Sequence, residues 1–437
     1  MSTRTRQKID GLQANEKAPR PVPQFRLGNY KINWLSTTII MLPPVVVAYA
    51  VFWLQVPLLF STFLTAVASY FFAGLGITLG YHRLFSHRAF NASKLVKYFF
   101  GFAGSGALQG SIKWWSRNHR IHHRYIDTDK DPYNAKRGFF YSHLGWMLMK
   151  QDYELLGHVD ISDLNADKFV RFQHNHYLEL SMLSGLILPM ALTWLINGDW
   201  LGGLMYAGFA KVVVIHHTTF FINSLAHSSF LGASQNFSDN HSSYDSFVCA
   251  ILTLGEGYHN FHHEFAQDYR NGTKWYHYDP TKWVIRALEM CGLAKGLVRT
   301  PNAVIRRNVL DLKAKKHAEA SRELEKKIEK DNAKHSQADT LDWNEIEALV
   351  AQGRKLTVVG DYVLDFEKTI PTGAGYTHKS TDMVWYNMHP GGRKLLDMYV
   401  GKDATDAVTG GIYKHSQGAF NLFQHLRVAS LKRTEDI

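Results

Sequence analysis

Cysteine is nearly absent from this chain: only Cys249 and Cys291 occur in 437 residues. Two thiols exclude a disulfide framework and fit a reducing, cytosol-facing environment. Charge is missing in a more informative place. Between Lys31 and His82 there is no Asp, Glu, Lys or Arg, a gap that no basic soluble domain needs and that a bilayer demands. The formal net charge of +11 would otherwise suggest nucleic-acid binding. The charge-free run argues against it, and no nucleic-acid partner is expected. No secretory leader is expected either, because the first apolar run starts late, is too long and lacks a small-residue cleavage site.

That run, Ile32 to Tyr81, is about twice the ~20 residues that cross a bilayer, so it predicts a hairpin of two helices. Its turn is expected at Leu54-Gln55-Val56-Pro57, where proline removes a backbone donor. Leu180 to Asn197 and Leu201 to about Phe221 flank Gly198-Asp199-Trp200 and predict a second hairpin. Four crossings result. The leading tail carries Arg4, Arg6, Lys8, Lys17, Arg20, Arg26 and Lys31, which by the positive-inside rule sets the N-terminus in the cytosol. Two complete hairpins then leave residues 82–179 and everything after Phe221 on that same side. Tyr98 to Ile112 is too short and glycine-rich for a fifth crossing and is expected to form an interfacial or buried helix. Lys211 falls near the middle of the fourth crossing, where a lysine is costly unless it faces protein or water. A helix longer than the membrane, with Lys211 nearer the interface, is the simplest expectation.

Histidines cluster just outside these runs: His82-Arg-Leu-Phe-Ser-His87, His119-Arg-Ile-His122-His123 and His259-Asn-Phe-His262-His263. In the last two the spacing is i, i+3, i+4, which puts all three imidazoles on one helical face. With 23 histidines in the chain, that pattern arises at a given start on the order of once in ten thousand, so two copies point to a metal site. The i, i+5 spacing of the first cluster shares no α-helical face and predicts a helix end running into a turn. Imidazole suits iron, zinc and copper alike, but a closed tetrahedral zinc site needs four ligands and about twice that number is present. Two metals are therefore expected. No Glu and Glu-x-x-His set of the soluble di-iron bundles accompanies the histidines, and an all-nitrogen donor set keeps metals cationic and favours strongly oxidising chemistry. Asp127, Asp131, Glu256 and Asp268 are candidates to orient the rings.

Beyond Pro301 the composition shifts. From about Val304 to Asp339 it is dense in Lys, Glu, Arg and Ala, which predicts a solvated helix or tether. Leu356 to Phe366 then alternates around a Gly-Asp turn, as a hairpin does, and His389-Pro-Gly-Gly392 and Tyr413-Lys-His415-Ser416 follow.

The histidine clusters together with Asn223-Ser-Leu-Ala-His227 and Gly255-Glu-Gly-Tyr-His259 resemble the membrane Δ9 acyl-CoA (stearoyl-CoA) desaturases over roughly Phe25 to Pro301. The tail, about Leu341 to Leu431, resembles the cytochrome b5 domain fused to the fungal members. The resemblance implies a mainly α protein: a four-helix transmembrane desaturase with a cytosolic helical cap, plus a small α+β cytochrome b5-like haem domain. Its expected segments are a cytosolic tail (1–30), the desaturase domain (31–301), a charged linker (302–340) and the haem domain (341–437).

The resemblance further implies two iron ions, one on His82, His87, His119, His123 and His262, the other on His122, His227, His259 and His263, with Asn223 reaching the second through water. His216 and His217 match no ligand of the family and read equally as packing or capping groups. Haem b is expected between His389 and His415, the Pro-Gly-Gly turn fixing the loop of the first and letting backbone pass close to the porphyrin; His378 and His425 are spare. Gln109, Arg117, Asn118 and Lys150 are implied as acyl-CoA contacts, with Gly110 standing where many relatives carry asparagine. Lys113, Lys136 and Arg137 are either further phosphate contacts or a general basic face toward anionic lipid. Tyr70 and Gly74, at multiples of four before His82, are expected to close the far end of an acyl tunnel. The implied activity is O2-dependent Δ9 desaturation of fatty acyl-CoA in the endoplasmic reticulum membrane, termini and active site cytosolic, with electrons from NADH-cytochrome b5 reductase. The alternatives are a membrane fatty acyl hydroxylase and a non-enzymatic metal-binding membrane protein.

Overall fold

The charge-free run folds as α1 (Trp34–Phe52) and α2 (Phe60–Ser86), joined through Leu54 to Pro57 with Gln55 at a φ of 49°. Two shorter helices follow, α3 (Lys94–Ser105) and α4 (Ile112–Tyr125). The second hairpin is α5 (Tyr177–Asn197) and α6 (Trp200–His227). Among the residues described by the computed structural model, 31–230, 232–335, 339–369, 384–411 and 414–432, these four long helices are the ones apolar enough to cross a membrane. The basic tail (1–30) and His378 lie outside the described residues. Both hairpins are tied together at the turn end: Thr62 of α2 donates to Asp199, and Asn197 donates to Ser61 at 2.5 Å. After α6 come α7 (His259–Glu264), α8 (Pro280–Met290) and α9 (Asn302–His335).

The last eleven residues of α2, Gly76–Ser86, wind as a π-helix. Glycines permit this by letting α3 press against the backbone: a Cβ on Gly76 would lie 2.1 Å from the Gly104 nitrogen, the small-residue contact that membrane helices use. A π-turn is wider than an α-turn and pairs i with i+5. His87 N–H accordingly donates to the His82 carbonyl at 3.1 Å, and the two rings lie 4.8 Å apart. The helix ends here as expected, at Ser86 with His87 as its cap; the correction is that π-winding brings both histidines to one face.

Lys211 also differs from expectation. It is 3% exposed and faces protein, not the interface. Its ammonium donates to the Gly106 carbonyl at 2.8 Å and the Gly185 carbonyl at 3.1 Å, so it satisfies carbonyls at the end of α3 and in a π-helical stretch of α5 that have few other donors in reach. The core beside it gathers α2, α4 and α6 through Ile77, Tyr81, Phe85, Ile112 and Ile215.

The chain divides into two compact units, Met1–Ala314 and Lys315–Ile437. The second unit is a four-stranded sheet of β1 (Asp339–Leu341), β2 (Leu356–Val359), β3 (Tyr362–Asp365) and β4 (Arg427–Leu431), in the order β1-β4-β3-β2. β1 runs parallel to β4, and the other pairs are antiparallel. Strand alternation splits β2 cleanly: Leu356 and Val358 pack with Ile346 and Ala429 on one face, while Thr357 and Val359 look into an apolar cavity on the other.

Candidate metal centre

The imidazoles form two groups, and α4 and α7 each contribute to both. On α4, the i, i+4 pair His119 and His123 joins the first group and His122 the second. On α7 the division is reversed: His259 and His263 join the second, His262 the first. With His82 and His87 from α2 and His227 at the end of α6, the groups are His82, His87, His119, His123, His262 and His122, His227, His259, His263. Within each group, ligand nitrogens lie within 4.8 Å of one another. Closest approaches include His87 Nε2 to His119 Nε2 at 2.8 Å, His82 Nε2 to His262 Nε2 at 2.9 Å, His262 Nε2 to His123 Nε2 at 3.0 Å and His263 Nε2 to His259 Nε2 at 3.0 Å. Nitrogens bound ~2 Å from one ion in tetrahedral or octahedral geometry sit about 3 Å apart, so this spacing suits an ion in each group.

Electrostatics agree with that fit. Burial pushes His87, His119, His123, His259, His262 and His263 well below the ordinary imidazole value, and neighbouring histidines push further. Neutral rings offer the lone pair that a metal needs. His227 supplies a direct sign: its Nδ1 is engaged by Ser242 at 2.8 Å, while its Nε2 is buried without a hydrogen-bond partner.

Two of the four expected ring partners reach an imidazole and a third acts through a hydroxyl. Asp131 meets His122 Nδ1 at 2.9 Å, and Glu256 meets His82 Nδ1 at 3.0 Å. Asp127 acts at one remove, accepting from the Ser242 hydroxyl at 2.5 Å, which in turn contacts His227. Asp268 does not join them; it pairs with Arg270 at 2.8 Å. Burial raises the Glu256 carboxyl, yet the attraction of Arg83 and His82 overcomes this and holds it at about 2. Arg83 is 1% exposed and forks between Glu256 at 2.8 Å and Asp279 at 2.9 Å. Neither Arg83 nor Asp279 was expected at the site. An arginine between two cluster histidines at the end of an apolar helix is a signal that points to Arg83; Asp279 carries none.

An apolar cavity opens beside the first group, with Ile77, Leu108, Trp114 and Trp146 among its walls. Gln109, Asn118 and Asn223 also line it. Gln109 donates to Thr219 at 2.9 Å while its Oε1, like Asn118 Nδ2 and Arg117 Nε, is buried without a partner. Gly110 has a φ of 94°, where a Cβ would also meet the Trp114 ring at 2.5 Å; asparagine would be strained there. Its N–H donates to the Tyr177 hydroxyl at 2.8 Å. Lys150 is exposed, and Arg137 lies over the Tyr141 ring. Tyr70 bonds Thr218 at 3.3 Å and lines a second apolar cavity with Tyr206 and Val214. Gly74 turns instead toward Leu254, whose Cδ1 would sit 2.4 Å from an added Cβ, so bulk there meets Leu254 first. His216 caps the Leu108 carbonyl at 3.3 Å and His217 contacts His143 at 3.0 Å; neither joins a group.

In the second unit, His389 and His415 face each other across the apolar cavity with ring centroids 6.4 Å apart. Two metal–nitrogen bonds of ~2 Å fit between rings at that spacing, and Val359, Leu364, Leu396 and Phe423 supply apolar walls for a porphyrin. His425 is exposed and outside this lining.

The cytochrome b5-like heme/steroid binding domain matches residues 382–432. A probable acyl-CoA desaturase of Schizosaccharomyces pombe is 42% identical over 422 residues, 95% of this chain and 82% of that protein. Acyl-CoA desaturase 1 of Saccharomyces cerevisiae is 39% identical over 407 residues, 93% of this chain and 75% of its own. The human stearoyl-CoA desaturase is 34% identical over 250 residues, 56% of this chain and 69% of that protein. The fatty acid desaturase model matches residues 53–296, more than half of the chain, and the protein is therefore a member of the fatty acid desaturase family that carries a C-terminal cytochrome b5 domain.

Proposed function

We propose that this protein inserts a cis double bond at carbon nine of a saturated fatty acyl-CoA, in the endoplasmic reticulum membrane with its site facing the cytosol. The observation that carries the reading is the pair of buried imidazole groups, five and four, beside an apolar cavity at one end of four membrane-length helices. Residues 31–301 carry the desaturation, 302–340 link, and 341–437 hold haem b between His389 and His415 for one-electron delivery. Two iron ions held by the nine histidines supply the oxidising power that an unactivated methylene requires, since no acid–base side chain polarises an alkane carbon.

The chain's own residues do the rest. Cavity walls such as Ile77, Leu108 and Trp146 hold the acyl chain in extended contact and exclude water. Trp115 stacks on His119 with ring centroids 4.9 Å apart and fixes that ring at the cavity edge. The unpartnered Asn118 Nδ2 donates to the thioester region, and Arg117 and Lys150 meet the coenzyme A phosphates. Asn223 reaches the second group through water. Tyr70 marks the far end of the chain's path. Two hydrogens leave the substrate, and O2 takes them with two protons and two electrons to give two waters. Those electrons come from NADH through a separate cytochrome b5 reductase and the fused haem domain.

Membranes holding the full chain, given saturated acyl-CoA, NADH and reductase, are expected to yield a product two hydrogens lighter, and only with oxygen present. A product heavier by one oxygen makes the protein a hydroxylase; metal binding without any lipid product makes it a metal-binding membrane protein. Holding the rings has its own readout. Asp131→Asn removes the carboxylate on His122 and is expected to weaken metal retention by about 10–100-fold against a chelator, measured as iron per chain.

A further inference from the structure

On the side of the first unit that carries α8, a cleft is walled by Lys274, Trp275, Lys282, Trp283, Arg286 and Arg299. It lies apart from the cavity that the histidines border and shares no lining residue with it. No Asp or Glu is among its described lining residues. Arg286 is balanced by Glu289, but Arg299 has no ion-pair partner among the described residues, and Lys274 has only the Tyr276 ring beneath its ammonium. Lys282 is 5% exposed, and its ammonium donates to two carbonyls, Gly272 at 2.8 Å and Lys274 at 2.5 Å. The Trp283 ring lies under the same ammonium at 6.0 Å, so this buried cation makes no direct ion pair at the cleft floor.

The position of the cleft relative to the bilayer follows from α2. Thr281, at the start of α8, shares a hydrogen bond of 2.6 Å with Thr78, eight residues before the end of α2. Leu254 abuts Gly74, about one turn further from that end than Thr78. The short helix Phe247–Leu252 leads into that contact and exposes Phe247, Val248, Ile251 and Leu252. This face of the protein therefore lies at acyl depth and α8 at the level of the headgroups. Trp275 is 84% exposed and Trp283 46%, and the Trp283 indole N–H donates to the Trp275 carbonyl at 3.3 Å. Paired exposed tryptophans beside unbalanced cations are the composition of an interfacial belt that contacts phosphate above and acyl carbon below.

We infer that this cleft binds the phosphate headgroup of an anionic phospholipid, with Lys274, Lys282 and Arg299 on the phosphate and Trp275 and Trp283 against the acyl glycerol. A free phosphate or nucleotide would satisfy the cations but leave both indoles exposed, and phosphatidylcholine would satisfy the indoles but neutralise its own phosphate.

The full chain reconstituted in vesicles tests this through its own tryptophans. Quenching by acyl-brominated phosphatidylserine is compared with that by acyl-brominated phosphatidylcholine, and the Trp275→Phe/Trp283→Phe protein identifies the share due to this cleft. That share is expected to prefer phosphatidylserine. Removing two cations in Lys274→Gln/Arg299→Gln is expected to weaken the preference about 25-fold, at roughly fivefold per basic residue, while acyl-CoA turnover in phosphatidylcholine vesicles stays as in the parent and shows the protein folded. Equal quenching by both lipids, an unchanged preference in the double variant, or its abolition by added inorganic phosphate would each overturn the inference. The readout does not depend on which reaction the histidine site performs.

Discussion

His262→Ala is expected to lower acyl-CoA turnover by about 10³-fold or more, the scale on which deletion of one member of a tightly coupled catalytic unit acts. The ring sits at the middle of its group, with Nε2 2.9 Å from His82 and 3.0 Å from His123. It is 1% exposed, so alanine leaves a small cavity in place of an imidazole nitrogen donor. His263, the next residue, belongs to the other group. The deletion should therefore remove one iron per chain and retain the other. The haem absorption, which belongs to His389 and His415, should be unaltered. A His262→Ala protein that turns over at the parental rate would remove the first imidazole group from the chemistry.

What could be read along the chain was whatever depends on near neighbours. Hydropathy gave the four long helices, and the i, i+3, i+4 spacing of His119, His122 and His123 gave a shared face, because helical periodicity is local. The same logic misjudged His82 and His87. Their pairing rests on a π-turn that exists because Gly76 and Gly80 let α3 approach closely, a fact about packing partners. Lys211 was unreadable for a related reason. Its acceptors are carbonyls of Gly106 and Gly185, 105 and 26 residues away, and a backbone carbonyl leaves no mark in a sequence. The ring partners were partly legible: Asp131 stands nine residues from His122, whereas Glu256 meets His82 from a distant stretch of the chain and Asp127 acts through Ser242, 115 residues on. In the second unit, alternation sufficed for β2 and β3, but the pairing of His389 with His415 came from resemblance, since nothing local joins two histidines across a cavity.

His389→Ala separates electron supply from the oxidation itself. The His389 ring faces His415 at 6.4 Å between centroids, and the rest of the cavity lining is apolar apart from Thr357 and Tyr399. Without His389 no second imidazole among the described residues lines that cavity, so a haem would keep one axial ligand and is expected to be lost or to show a five-coordinate spectrum. The imidazole groups of the first unit are untouched, and iron at that site should remain. Covalent attachment gives a carrier an effective concentration that can raise delivery by 10²–10⁴-fold without any new contact. Turnover driven by NADH and reductase alone should therefore fall by about 10²-fold or more, and free cytochrome b5 at high concentration should restore part of it. Restoration distinguishes a lost carrier from a damaged oxidation site, because His262→Ala would not respond to the same addition. Full turnover in His389→Ala without added carrier would show that electrons reach the first unit by another route.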